Sequence, residues 1–324
     1  MKLTDYLNNP TYGSTRDGFG VGLKDLGGQN VQVIVLCADL SESTRVNWFK
    51  EAFPDRYLEM GVAEENMIGI AAGLALAGKI PYAISYSTFV VNNALGPIRS
   101  SVCYTNTNVK IVGGHAGFSA GPDGATHQAL EDIATMRVLP NMKVIVPCDQ
   151  EESRKATIAI SKEVGPYYLR VGKFQSLNIT TKETPFEIGK ATTLKDGSDL
   201  TIIACGSMVA ECLTVAHKLE KDYSIEVINM HTIKPLDYES ILKSVKKTGA
   251  VLTVEEHQKA GGLGSAVAEF LSQPALTRLK NSIPMKIIGV DDSFGESGTV
   301  KELLEKHKLT AIYITKEIDI LMTR

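Results

Sequence analysis

Thirteen residues in the first half of the chain place two imidazoles and a carboxylate around a glycine-rich loop, from His115 through Asp123 to His127. A β-branched apolar run precedes this loop, and a helical pattern beginning at Gln128 follows it. Imidazole beside carboxylate can exchange protons with hydroxyl or carbonyl oxygens near neutral pH. Two exposed histidines and a turn-forming aspartate are the structural alternative. We favour a ligand-handling loop because three such groups share one strand-to-helix connection.

Length and composition limit the kind of protein. A chain of 324 residues can form two domains, and 44% hydrophobic with 22% charged residues is ordinary for a globular protein. A net charge of −3 gives no reason to expect nucleic acid or a membrane as partner. No apolar run approaches the roughly 20 residues of a membrane helix, no signal peptide is evident, and the five scattered cysteines form no CxxC pair. These features predict a cytoplasmic protein.

The order of elements predicts the fold class. Short β-branched runs alternate with longer helical patterns, which is typical of parallel sheets flanked by helices. We predict an α/β protein of two tandem domains, 1–180 and 181–324, each a mostly parallel sheet flanked by helices, with 172–187 as the linker. The predicted strands are 31–37, 56–60, 81–85, 109–112, 143–146, 166–170, 200–205, 225–229, 250–254 and 285–290. The main predicted helices are 64–77, 92–104 and 150–164.

Further candidates follow the ends of predicted strands in the first domain: Asp39, Ser43, Glu64, Phe89 and Arg170. Glu64 opens an apolar helix that we expect to be buried. It is either a charge interacting with the helix dipole or a buried carboxyl that shares a proton with a ligand nitrogen. Phe89 is a stacking or a core residue. The Arg170 guanidinium either binds a phosphate or carboxylate of a ligand through two parallel hydrogen bonds, or forms its hydrogen bonds within the protein at the end of a strand.

Together these segments resemble the thiamine-diphosphate enzymes, specifically the second half of a transketolase. The matching segments are 56–67, 86–89, 113–132 and 254–264. The resemblance implies a pyrimidine-binding domain to about residue 180, followed by a transketolase C-terminal domain.

The resemblance also implies roles for individual residues. Glu64 matches the glutamate that hydrogen-bonds the pyrimidine of thiamine diphosphate and so promotes loss of the thiazolium C2 proton. Phe89 matches the aromatic residue that stacks on the pyrimidine. His115 and His127 match histidines that bind ketose oxygens and carry protons, and Asp123 matches the aspartate that recognises the C2 hydroxyl.

The remaining assignments concern the substrate anion and the cofactor. Arg16, Ser43 and Arg170 match groups that hold the substrate phosphate, and Asp39 is assigned to cofactor binding.

Three departures from the family pattern bear on acceptor specificity. Pro122 stands where relatives commonly carry an acidic residue, and Asn92 and Leu95 stand where they often carry aromatic rings. Lys173 adds a cation that matches no known family role.

The diphosphate signature of the superfamily, Gly-Asp-Gly with a downstream Asn, does not occur in the chain. We therefore expect the ligands of Mg²⁺ and of the diphosphate on a partner, an N-terminal transketolase subunit. The predicted function is ketol transfer from a ketose phosphate, or similar anionic sugar, to an aldose. We expect two copies of this chain and two of the partner to form a symmetric heterotetramer.

Other interpretations stay open at this stage. A deoxyxylulose-phosphate synthase or the beta subunit of a 2-oxoacid dehydrogenase would use the same cofactor. A regulatory subunit would keep the fold without the chemistry, and a metal hydrolase would use His115, Asp123 and His127 as ligands.

Overall fold

The computed structural model describes residues 3–279 and 281–323 of the chain. The strands are β1 (Tyr12–Ser14), β2 (Val33–Cys37), β3 (Tyr57–Glu59), β4 (Ile80–Tyr86), β5 (Lys110–Gly114), β6 (Lys143–Ile145), β7 (Tyr167–Arg170), β8 (Gln175–Leu177), β9 (Thr192–Lys195), β10 (Leu200–Ala204), β11 (Ile225–Asn229), β12 (Thr232–Lys234), β13 (Val251–Gln258) and β14 (Met285–Val290).

Helices connect most of these strands. They are α1 (Thr15–Gln29), α2 (Asn47–Ala52), α3 (Glu64–Leu76), α4 (Ser87–Asn93), α5 (Leu95–Pro97), α6 (Asp132–Val138), α7 (Gln150–Ser161), α8 (Met208–Lys218), α9 (Tyr238–Thr248), α10 (Leu263–Leu271), α11 (Pro274–Thr277), α12 (Val300–Lys306) and α13 (Ala311–Met322). No helix within the described residues is long and apolar enough to cross a membrane.

Two mostly parallel sheets form the framework, which confirms the predicted fold class. The first has the strand order β12-β6-β7-β5-β4-β2-β3, and the second has the order β14-β13-β10-β11-β9. Strands such as β2 and β10 are nearly continuous apolar runs because helices cover both faces of each sheet. The parallel arrangement brings the carboxyl ends of β3, β2, β4 and β5 to one edge of the first sheet.

Short strands were missed by the sequence prediction. β12 lies in the second half of the chain but pairs antiparallel with β6 of the first sheet. β8 lies inside the predicted linker and pairs with β1. Three-residue strands carry too little periodicity to be recognised. A domain boundary at residue 180 would leave β12 on the sheet of the other domain.

Two predicted helices need correction. The helix expected over 92–104 is broken: α4 ends at Asn93, and a π-helical turn follows at Ile98–Tyr104. The helix expected from Gln128 begins instead at Asp132. Residues 128–131 make other contacts, because the Gln128 side chain bonds two backbone carbonyls and the Leu130 carbonyl accepts from Gln258 N.

Helix α3 is also less buried than predicted. One face packs in the core through Met67, Ile68, Ala71 and Ala72. The opposite face leaves Ile70 exposed and Leu76 73% exposed. The apolar composition of α3 does not reveal which of its faces packs against the rest of the chain and which is left exposed.

Candidate active site

Several predicted site residues meet at one edge of the first sheet. Asp39 follows β2, Glu64 follows β3, Tyr86 ends β4 and His115 follows β5. These four strands are neighbours and run in the same direction. Their carboxyl ends therefore lie at one edge of the sheet, the usual place of ligands in open α/β sheets.

Glu64 is a buried carboxyl at the start of α3, with only 4% of its surface exposed. Ser85 Oγ donates a hydrogen bond to one carboxylate oxygen at 2.9 Å, and Asn93 Nδ2 donates to the other at 3.4 Å. The neighbouring Glu65 is exposed. Burial and neutral donors distinguish Glu64 from an ordinary charge on the first turn of a helix.

Four rings form a wall beside this carboxyl. Tyr86 stacks on His115 with ring centroids 4.0 Å apart, and Phe89 meets His127 edge to face at 5.1 Å. Tyr86 and Phe89 lie 5.9 Å apart. Phe89 is only half-buried and belongs to this cluster. The sequence prediction did not assign a role to Tyr86, although it lies within the Tyr-Ser-Thr-Phe motif.

His115 lies at the centre of the cluster and is 1% exposed. Its backbone takes a positive φ of 53°, an uncommon conformation for a residue other than glycine. Its Nδ1 atom is buried without a hydrogen-bond partner among the described residues. Burial, then the charges of Arg16 and Lys173, lower the pKa of His115 to about 3. The imidazole is therefore neutral at pH 7 and can donate one hydrogen bond and accept another.

We expect the His115 imidazole to stay neutral between about pH 5 and about pH 8. Because the pKa of His115 in the folded chain lies below the ordinary value of 6.5, the unfolded chain binds this proton more tightly. The stability of the fold is therefore unaffected by His115 above pH 6.5 and decreases as the pH falls from 6.5 toward 3. The measurement is an NMR titration of the histidine Cε1–Hε1 resonances, assigned with His115→Gln. A titration midpoint near pH 6.5 would contradict the burial of this ring.

The outer part of the loop is more open. His127 is half-buried, and its Nδ1 atom lies 3.0 Å from Thr126 Oγ1. Asp123 is exposed at the loop surface. The structure thus brings His115 and His127 to one aromatic cluster, whereas Asp123 lies outside it.

Of the residues expected to bind the substrate anion, Arg16 and Ser43 lie in contact with each other. Arg16 Nη1 donates to the backbone carbonyl of Ser43 at 2.8 Å, so these two residues are neighbours. Arg16 Nε is buried without a hydrogen-bond partner among the described residues, and it lies 3.9 Å from Asp17 Oδ1 in a long ion pair. Arg45, to which the sequence prediction gave no role, forms an ion pair with Asp17 at 2.6 Å.

Asp39 is exposed and has a positive φ of 58°. Its backbone N–H donates to Glu59 Oε1 at 2.8 Å. This contact holds the loop after β2, and the cofactor role of Asp39 stays a prediction.

Arg170 is held by interior groups, and its role at the substrate anion stays a prediction. It is 7% exposed, and its Nε donates to Asp132 Oδ2 at 2.8 Å. Its Nη2 donates to the backbone carbonyls of Ala129 and Glu256, each at 3.1 Å. Tyr168 OH donates to the same Asp132 oxygen at 2.6 Å. These interior partners favour the structural alternative for Arg170 over a fork that receives the substrate anion.

The chemistry of the side chains at this edge suits an aminopyrimidine ring. Glu64 offers a buried carboxyl to a ring nitrogen, and the half-buried Phe89 offers an aromatic face. His115, stacked on Tyr86, contributes a neutral imidazole at the same edge of the sheet. Among the described residues, no group of three His, Cys, Asp or Glu side chains is arranged to hold a metal ion.

Comparison with known proteins identifies both halves of the chain. The transketolase pyrimidine binding domain matches residues 13–176, and the transketolase C-terminal domain matches residues 189–314. A putative transketolase C-terminal section from Methanocaldococcus jannaschii is 44% identical over 95% of this chain and 96% of its own length. The 6-deoxy-6-sulfo-D-fructose transketolase subunit SqwH from Clostridium sp. (strain MSTE9) is 41% identical over 88% of this chain and 87% of its own length.

Solved structures agree with these relatives. A split gene transketolase, described as an inactive beta4 tetramer, superposes with a TM-score of 0.86 at 41% identity, over 96% of this chain and 98% of that one. Transketolase from Campylobacter jejuni shares the fold, with a TM-score of 0.80 at 22% identity, and this chain covers 48% of it. The chain therefore belongs to the transketolase family and comprises the pyrimidine-binding and C-terminal domains of its C-terminal sections.

Proposed function

We propose that this chain is the C-terminal subunit of a two-subunit, thiamine-diphosphate-dependent transketolase. It transfers a two-carbon ketol unit from a ketose phosphate, or a similar anionic sugar, to an aldose. The observation that carries the proposal is the buried Glu64 carboxyl, hydrogen-bonded to Ser85 and Asn93, the two residues that flank the segment carrying Tyr86 and Phe89. When bound, thiamine diphosphate supplies the stabilisation of the carbanion, and the protein supplies orientation and proton transfer.

Glu64 holds a proton at the pyrimidine nitrogen in this proposal. Ser85 and Asn93 fix the carboxylate through one hydrogen bond to each oxygen. Because the carboxyl is buried, water competes little for that proton. The half-buried Phe89 ring would provide an aromatic face for the pyrimidine.

The two histidines act on the sugar hydroxyls. Neutral His115 donates or accepts a hydrogen bond at a substrate oxygen, and Tyr86 fixes the orientation of its ring by stacking at 4.0 Å. His127 moves a proton at a second oxygen, with its ring held edge to face against Phe89. Asp123 closes over the substrate from the exposed part of the loop.

The anionic end of the substrate meets Arg16 and Lys173. Both charges act on His115 and are the two largest charge effects that lower its pKa. Arg16 Nε lacks a hydrogen-bond partner among the described residues, and Lys173 is exposed three residues beyond Arg170. Since Arg170 is bound to interior groups, these two cations and Ser43 are the available anion ligands.

A partner subunit supplies the ligands of the diphosphate and Mg²⁺. Relatives that match this chain almost end to end are a C-terminal section and a split gene transketolase, whereas this chain covers about half of a one-chain transketolase. The open face of α3 is consistent with a partner, since Ile70 and Leu76 are exposed and Gly69 and Gly73 border open space. This face begins next to Glu64, where the two halves of a shared site must meet.

We expect two copies of this chain and two of the partner to assemble with two-fold symmetry. A site that forms between chains requires a large, partly apolar interface, and two-fold symmetry is the commonest closed arrangement. Native mass spectrometry of the mixed subunits with thiamine diphosphate and Mg²⁺ is the test. Ile70→Glu should reduce assembly, whereas Val164→Glu, an exposed apolar position before β7, should not. A fully active one-to-one heterodimer would contradict the symmetric assembly.

A further inference from the structure

The second domain packs against one side of the loop that carries His115 and His127. Phe118 in this loop stacks on His307 of the second domain, with ring centroids 4.6 Å apart. Gln128 Nε2 donates to Gly121 O at 3.0 Å within the loop and to Glu296 O of the second domain at 2.8 Å. The loop is therefore not a free surface connection, because one of its sides rests on the second domain.

Glu256 makes the most direct of these contacts. Its Oε1 atom accepts a hydrogen bond from the Phe118 backbone N–H at 2.5 Å, and its Oε2 atom accepts one from Ser207 Oγ at 3.0 Å. Its backbone carbonyl accepts from Arg170 Nη2. Burial raises the pKa of Glu256, and the Arg170 charge opposes this effect. Glu256 of β13 is thus hydrogen-bonded to the loop through Phe118, to its own domain through Ser207, and to Arg170 at the end of β7.

Gly117 shows how closely the loop backbone approaches Glu256. A Cβ atom at this position would lie 2.5 Å from Glu256 Oε1 and 3.1 Å from Arg170 Nη2. Gly117 also has a positive φ of 63°, which disfavours any other residue. His115 lies two residues earlier, so the position of this backbone determines where its ring is presented.

We propose that Glu256 is a positioning residue for ketol transfer: its carboxylate fixes the backbone at Gly117 and Phe118 and thereby places His115. The proposal rests on the transketolase function proposed above. Glu256 touches neither substrate nor cofactor, and it acts through the loop. The second domain then contributes to the chemistry, in addition to any contact that it makes with a like chain.

A first experiment needs no activity. Amide hydrogen exchange of the loop is compared in the wild-type chain, Glu256→Ala, Glu256→Gln and Ser207→Ala. Glu256→Ala should speed exchange at Phe118 by at least about 10-fold, because it removes a hydrogen bond to a charged acceptor. Glu256→Gln keeps an acceptor oxygen and should restore most of the protection. Ser207→Ala removes only the second bond of Glu256 and should stay near wild type. Unchanged exchange in Glu256→Ala would overturn the proposal.

A second experiment uses the complex with the partner subunit. Glu256→Ala should lower kcat for ketol transfer roughly 10- to 100-fold, and thiazolium C2 proton exchange, which depends on Glu64, should stay within about two-fold of wild type. Gly117→Ala places a Cβ atom against Glu256 Oε1 and so disrupts the same contact. It should also lower kcat while leaving C2 proton exchange near wild type. Equal losses in transfer and proton exchange would show a merely structural role. An inactive wild-type complex would overturn the transketolase function instead, while the hydrogen-exchange result would still decide the loop contact.

Discussion

Replacing Glu64 with glutamine should lower ketol transfer by roughly 100- to 10,000-fold, the range of a lost general acid–base group. An amide cannot share the proton of the pyrimidine ring. The fold should survive because glutamine has the same shape and keeps an oxygen that accepts from Ser85. Thiazolium C2 proton exchange, measured by NMR in the reconstituted complex, should fall together with turnover.

Glu65 provides a matched control, since it lies on the same helical turn but is exposed. Glu65→Gln should leave both transfer and proton exchange near wild type. If Glu64→Gln exchanged the C2 proton as fast as wild type, Glu64 would have no part in cofactor activation.

Replacing Arg170 with alanine should destabilise the chain by about 3–5 kcal/mol, because removal of one partner leaves a buried charge uncompensated. Asp132 is 1% exposed and would keep only the Tyr168 hydroxyl as a described partner at that oxygen. Arg170→Lys keeps the charge but cannot form the several hydrogen bonds of the planar guanidinium. We therefore expect an intermediate loss of stability. Chemical denaturation followed by circular dichroism measures the difference.

Lys190→Ala is the control for Arg170, because the Lys190–Glu239 ion pair is exposed. Its loss should cost less than about 1 kcal/mol. A stable Arg170→Ala chain with a raised KM for phosphorylated sugars alone would instead restore Arg170 as a ligand of the substrate anion.

Strand and loop patterns predicted the parts of the molecule that depend on local sequence. Strands buried between helices are rich in β-branched, aliphatic and aromatic residues, so β2, β4, β5 and β7 were recognisable. Once those strands are parallel neighbours, their carboxyl ends must converge, which is why Glu64 and His115 were found near one another.

Other features depend on partners that are distant in sequence. Arg170 was expected to bind an anion from the substrate, yet its acceptors include Asp132, 38 residues earlier, and Glu256, 86 residues later. No local pattern reveals such a network. The contact between Glu256 and Phe118 spans 138 residues for the same reason. Burial of α3 was overestimated because an apolar face looks the same in sequence whether the chain itself or another chain covers it.

Ketol transfer by the separate and mixed subunits tests the proposed function most directly. This chain, with purity verified by mass spectrometry, is assayed with thiamine diphosphate, Mg²⁺, a ketose phosphate donor and an aldose acceptor. The same assay is repeated after addition of the diphosphate-binding subunit, and again with Glu64→Gln in the mixture. We predict no transfer by this chain alone, transfer by the mixture and near-complete loss with Glu64→Gln. Robust transfer by this chain alone would contradict the division of the active site between two subunits.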